Sequence, residues 1–175
     1  MVFVSTAVCV HERSAAPWVP EGRLLHLVDV ENLCGGSRVS DDAVATAMHD
    51  YSDAVRVESI DHVIVACSPQ LAIPSHDAAP DARILIGRGF DGADLALIGA
   101  ASVVDVARRF DGVIIGSGDH IFTSMAASLR LMGVPVTVVS RESSLSASLA
   151  RAAQTVVCIP DLPQPIGEAA LRKVA

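Results

Sequence analysis

Apolar residues fall into short, nearly continuous runs along the chain: Leu24-Leu25-His26-Leu27-Val28, His62–Cys67, Arg83–Ile86, Val113–Gly116, Val136–Val139 and Thr155–Ile159. Runs of this length without polar alternation mark strands covered on both faces. The stretches between them show a different period. Val44, Ala47, Met48 and Tyr51 follow one another at helical spacing behind Ser40, an N-cap residue with Asp41 and Asp42 in the first turn. Phe122, Met125, Ala126 and Leu129 repeat the stripe, which Gly133 and Pro135 bring to an end. A third helix, opened by Gly92-Ala93-Asp94 and expected to last to about Phe110, is apolar over most of its circumference through Leu95, Leu97, Ile98, Val103, Val104 and Val106; it is expected to be largely buried. Ser143 or Ser144 is expected to cap a short helix over Leu145–Ala152, and Ser68–Pro80 reads as a loop with at most a helical turn near Leu71.

Strands alternating with helices imply a three-layer α/β/α fold with a mainly parallel central sheet and right-handed crossovers. The expected organisation is an irregular N-terminal arm over 1–20, one domain over 21–160 and a C-terminal tail over 161–175. The arm could add a short strand at Phe3–Val10 and be pinned by Trp18, and the tail could form a last helical turn at Glu168–Val174. Neither a repeat nor a low-complexity tract divides the chain.

Bulk properties narrow the reading. With 51% hydrophobic and 3% aromatic residues in 175, the sequence suits one tightly packed domain and not a disordered chain. A net charge of −7 argues against a broad basic face gripping long nucleic acid, while leaving room for a local cluster of arginines. No apolar run is long enough to span a bilayer, and Met1–Val10 lacks the basic flank of a signal peptide. The expectation is a cytoplasmic protein with no membrane partner. Cys9, Cys34, Cys67 and Cys158 are scattered without a C-x-x-C pair and are read as buried reduced thiols.

The chemistry is carried by carboxylates at strand ends. Asp29 follows the first run, Asp91 and Asp94 follow the third, and Asp119 follows the fourth. In an open parallel sheet the crevice beyond the carboxyl ends of the strands is where sites form, so these acids should meet on one rim. Unpaired carboxylates brought together repel one another. A hard divalent cation removes that repulsion, and Mg²⁺ or Mn²⁺ takes oxygen ligands. Such an ion polarises a phosphoryl oxygen and activates water, without a Ser, Cys or His nucleophile. Taken singly, Asp91, Asp94 and Asp119 each have a helix-capping alternative.

The residues Val28-Asp29-Val30-Glu31-Asn32, Gly89-Phe90-Asp91-Gly92-Ala93-Asp94-Leu95 and Gly116-Ser117-Gly118-Asp119-His120-Ile121-Phe122, followed by Gly133–Val138, resemble the motifs of the NYN domain family, a nuclease branch of the PIN-like superfamily. The likeness spans about Leu24 to Ile159. It implies a strand order near 3-2-1-4-5 and a Mg²⁺- or Mn²⁺-dependent ribonuclease acting on RNA. It carries Asp29, Asp94 and Asp119 over as metal ligands and Asp91 as a further ligand or water-positioning residue. Asn32 would orient Asp29 or contact the phosphate. Ser117 would hold the turn that presents Asp119 and is grouped with the substrate-contacting residues. PIN-like domains often pair, so the likeness also admits a homodimer. One departure stands out: many members carry a second Asp two residues after the third-motif Asp, where this chain has Ile121. The site then has one acid fewer, unless Glu31 supplies it, and one ion or two are both open.

Other candidates are weaker. Gly87-x-Gly89-x-x-Gly92 fits a dinucleotide fingerprint but follows the third strand and contains Asp91, which would repel a pyrophosphate. His120 could contact a phosphate or stand exposed in a first helical turn. His26, inside a strand, reads as a core histidine. Arg88 and Arg141, and with them Arg151, are candidates for RNA phosphate contacts. No series of aromatics suggests base stacking. Against the ribonuclease stands a catalytically weak domain of the same fold that binds RNA or protein for regulation, favoured by Ile121 and the acidic balance.

Overall fold

The computed structural model describes residues 20–103 and 106–163. The expectations for the arm, Trp18, Cys9 and the tail helix lie outside these residues. All six strands are present: β1 (Leu24–Asp29), β2 (His62–Cys67), β3 (Arg83–Ile86), β4 (Gly112–Gly116), β5 (Val136–Arg141) and β6 (Thr155–Ile159). They form one sheet in the order β3-β2-β1-β4-β5-β6, with every neighbouring pair parallel. The reversal of order beside β1 makes the gap between β1 and β4 a switch point, where the crossovers leave on opposite faces.

The period-two alternation of strands divides the core. Leu25 and Leu27 of β1 and Val113 and Ile115 of β4 face one layer, with Leu97, Phe122, Ala126 and Leu149 from α4 (Gly92–Val103), the turn that opens α6 (Thr123–Leu131), α6 itself and α7 (Ala147–Ala152); α5 (Val106–Arg109) adds Val106. Leu24 and Val28 of β1 and Ile114 of β4 face the other, with Leu33 from α1 (Val30–Cys34), Val44, Met48 and Tyr51 from α2 (Asp41–Val55) and Leu71 ahead of α3 (Ala72–Ala78). Asp29 continues the series Leu25, Leu27 and so turns toward the α4 layer. His26 lies on the α2 side, fully buried, where Tyr51 Oη lies 2.8 Å from its Nδ1 and Asp61 Oδ2 3.3 Å from its Nε2. It is the satisfied core histidine expected of it.

Several local expectations need correction. Ser68–Pro80 holds a real helix, α3, because Pro74 falls in its first turn, where no intrahelical N–H is required. Beyond β1 the chain forms the short α1, capped by Asp29. The cap of α7 is Ser146, whose Oγ accepts from Leu149 N; Glu142–Ser144 forms a 3₁₀ turn instead. The α4 helix is not buried all round, for Leu95 is 58% exposed. Of the cysteines, Cys34 and Cys67 are free and buried, but Cys158 is disulfide-bonded, so the reduced-thiol reading fails there. Among the described residues, no helix is long and apolar enough to cross a membrane.

Candidate metal centre

Register brings the first and third motifs together. Val28 pairs with Gly116, so one step further Asp29 stands beside Ser117. Ser117 Oγ donates to Asp29 Oδ2 at 3.2 Å and accepts from Asp119 N at 3.2 Å. Asn32 N donates to Asp29 Oδ1 at 3.2 Å, the N-cap bond of α1. Asn32 Oδ1 in turn accepts from Gly118 N at 2.8 Å. Two motifs far apart in sequence are thus laced into one unit. Gly118 has no room for a side chain: a Cβ there would meet Ser140 Oγ and the backbone of Ser144, so the turn packs flat against the chain after β5.

Asp94 enters from the first turn of α4. Its position depends on Gly87, where a Cβ would collide with the backbone of Gly92 and Ala93; β3 and α4 close on each other across this glycine. Asp94 and Asp29 are in side-chain contact, and both carboxyls are pushed above the usual carboxylate range. For Asp29 burial is the main cause, followed by the negative charge of Asp94; the Asn32 N–H and Ser117 hydroxyl oppose the rise, which still reaches about 8. For Asp94 burial again comes first, and the charges of Asp119 and Asp91 add to it.

With both acids ionised, Asp94 Oδ1 is buried and has no hydrogen-bond donor. A proton held between the two carboxyls would satisfy it, and so would coordination to a cation. That orphaned oxygen, in an all-carboxylate setting with charges that raise one another, is what a hard divalent ion fits. The fit stops short of a finished triad. Among the described residues, no group of three or more His, Cys, Asp and Glu has the geometry to hold a metal ion. Asp119 Oδ1 accepts from Ile121 N at 2.9 Å and lies 2.9 Å from Nδ1 of the exposed His120. Asp119 acts on Asp94 through space, as Asp91 does, and neither touches it as Asp29 does.

The remaining candidates separate. Arg88 is exposed on the loop between β3 and α4. Arg141, expected to bind RNA phosphate, is instead buried: its Nε donates to Leu33 O at 2.9 Å and its Nη1 to Asp50 Oδ2 at 2.8 Å and to Pro160 O. A strand end facing the rim also faces α1 and α2, and these take up the guanidinium. Ser117, fully buried beneath the acids, is a positioning group with no free surface for substrate. The charge of Glu31 bears on the Cys34 and Cys67 thiols, on the α2 side of the sheet, and its Oε1, like Asp94 Oδ1, is buried without a hydrogen-bond partner.

The NYN domain family profile matches residues 26–160. The chain therefore belongs to the NYN domain family, within the PIN-like nucleases. Among solved structures, a protein of unknown function from Vibrio parahaemolyticus, VPA0982, superposes with a TM-score of 0.54 at 20% identity, over 79% of this chain and 93% of that one. That likeness concerns the fold alone. No curated protein matches the sequence.

Proposed function

We propose that the protein is a metal-dependent ribonuclease and that Asp29, Asp94 and Asp119 hold a Mg²⁺ or Mn²⁺ ion. The observation that carries this reading is the buried Asp29–Asp94 contact, in which Asp94 Oδ1 has no donor. Such a pair costs the fold more than the Asp29 cap of α1 and the Asp94 charge at the start of α4 return, and costs of this kind concentrate at working sites. When bound, the ion would neutralise the acids, polarise a phosphoryl oxygen and acidify a water. The chain's own residues do the rest. The Asn32 N–H and the Ser117 hydroxyl fix the Asp29 carboxylate, and the Asn32 side chain fixes the Gly118 turn that carries Asp119. Asp91, whose charge bears on Asp94, would orient water or extend the ligand set. Arg88 and His120, both exposed near this rim, are the groups available to an RNA phosphate. A net charge of −7 fits a short RNA footprint better than a long one.

A second reading is a weakly catalytic domain that binds RNA or a regulatory protein partner. It is favoured by one observation, the engagement of Asp119 Oδ1 with Ile121 N and His120. Cleavage of single-stranded RNA by pure protein, compared in Mg²⁺, Mn²⁺ and EDTA and against Asp119→Asn, tests the two. The nuclease reading expects cleavage with either metal, none in EDTA and a loss of at least about tenfold in the variant. Metal-dependent cleavage undiminished in Asp119→Asn removes Asp119 from the ligand set, and no cleavage by the native chain favours the second reading.

A further inference from the structure

Among the large apolar side chains of the described residues, Phe90 is the most exposed, at 92%. Its place is not accidental to the backbone. The loop that carries it leaves β3 at Gly87, whose N–H donates to Cys67 O at 2.9 Å, and returns at Gly92 and Ala93, which press on Gly87 so closely that no Cβ fits there. The base of the loop is closed and its tip, Arg88-Gly89-Phe90, stands in solvent. Phe90 lies between two left-handed residues, Gly89 at φ 81° and Asp91 at φ 52°. Of the described non-glycine residues only Arg56, at a helix C-terminus, shares that conformation with Asp91. A pinned base and a left-handed pair around the ring present Phe90 outward, although folding would favour its burial. Asp91 is its neighbour in sequence, and Asp94, in contact with Asp29, lies one helical turn further on.

We propose that Phe90 is a stacking platform for a base of single-stranded RNA, with the exposed Arg88 guanidinium on an adjacent phosphate, so that the loop seats the strand beside the acid pair. The proposal rests on the nuclease reading for its substrate class. A planar aromatic ring offers its face to any base, so the contact tolerates sequence. In a duplex the bases are already stacked on one another, so the same ring selects unpaired RNA. An acidic chain cannot rely on a wide basic groove for affinity, and one stacking contact next to one arginine supplies it locally. Phe90 is a substrate-positioning residue in this account and has no part in bond cleavage.

The test measures binding of a labelled single-stranded oligoribonucleotide in EDTA by fluorescence anisotropy, for the native chain and for Phe90→Ala, Phe90→Leu and Phe90→Tyr. Since the ring is solvent-exposed, all four proteins should melt together. Stacking of one base predicts a loss of about fivefold to a hundredfold for Ala and for Leu, and near-native binding for Tyr. A blunt-ended RNA duplex should bind the native chain and Phe90→Ala alike. In metal-dependent cleavage, KM should rise in Phe90→Ala while kcat changes little. Native affinity in Phe90→Leu or Phe90→Ala overturns the proposal, as does a Phe90-dependent self-association without any effect on RNA, which would make the ring a protein contact. The two readings fail separately. Phe90-dependent binding without cleavage in Mg²⁺ or Mn²⁺ keeps the platform and removes the nuclease; cleavage with an unchanged KM in Phe90→Ala removes the platform and keeps the nuclease.

Discussion

Replacing Asp94 by Asn should stabilise the metal-free protein at alkaline pH. Asp29 is almost fully buried, and its carboxyl rises from 3.8 to about 8. At about 1.4 kcal/mol for each tenfold change, ionising it in the fold costs on the order of 6 kcal/mol more than in the unfolded chain. Burial is the larger cause and remains in the variant. The share due to Asp94 is that of a like-charged neighbour, roughly 1–4 kcal/mol. An Asn at 94 removes that charge and can donate its amide to Asp29. It also gives up a carboxylate in the first turn of α4, at a cost of about 0.3–1 kcal/mol. The net gain expected is about 1–3 kcal/mol. Both carboxyls are raised in the fold, so the stability they contribute is complete below the unfolded value, near 3.8, and is lost as pH climbs through about 8. The gain should therefore be large at about pH 9 and small at about pH 5. Urea unfolding in EDTA at the two pH values is the assay, with thermal melting as a check at about 2–4 °C per kcal/mol. Other titrating groups, His26 among them, cancel between variant and native chain. A variant less stable than the native chain at both pH values would refute the repulsion argued here.

Three further outcomes follow from the same contacts. Ser117→Ala deprives Asp29 Oδ2 of a donor and Asp119 N of an acceptor in a buried place, and should lower stability by about 1–3 kcal/mol in urea unfolding, together with metal affinity. Arg141→Met leaves Leu33 O without its donor and Asp50 without its partner; a loss of roughly 3 kcal/mol is expected in unfolding, with RNA affinity of the folded protein unchanged, since the guanidinium faces the interior. His26 is held below its usual value of 6.5 by burial against the opposing pull of Asp61, so its contribution is present above that value and lost as pH falls below it. His26→Gln should flatten the acid limb of the stability profile, and an unchanged limb would show that other groups set it.

The strands were legible to within a residue or so, because buried parallel strands are written as unbroken apolar runs bounded by turn residues. The approach of Asp94 to Asp29 was legible for the same reason, since a strand-end Asp in a parallel sheet has only one rim to go to, but Asp119 and Asp91 bear on the pair only through space. Where the sequence misled, a local signal had two physical meanings. Pro74 looks like a helix breaker but sits in a first turn. Three serines, Ser143, Ser144 and Ser146, compete for one cap, and packing against Gly118 O, which accepts from Ser146 N, chooses the last. Arg141 ends a strand at the functional rim, yet the Leu33 carbonyl and Asp50 lie inward, and no one-dimensional pattern records that. Phe90 carried no sign of its exposure, because an apolar residue between Gly89 and Asp91 reads equally well as a buried anchor. Ser117 was found through its motif, while its role beneath two acids needed the β1–β4 register.

The central claim is that the Asp29–Asp94 pair is a cation site whose acids are kept partly protonated until the ion arrives. Calorimetric titration of Mn²⁺ near pH 7, in two buffers of different ionisation enthalpy, measures both binding and the protons released. The account predicts release of about one proton per ion in the native chain, and binding at least about tenfold weaker with less proton release in Asp94→Asn. Equal Mn²⁺ affinity in the two proteins, or binding with no proton released by the native chain, would contradict it.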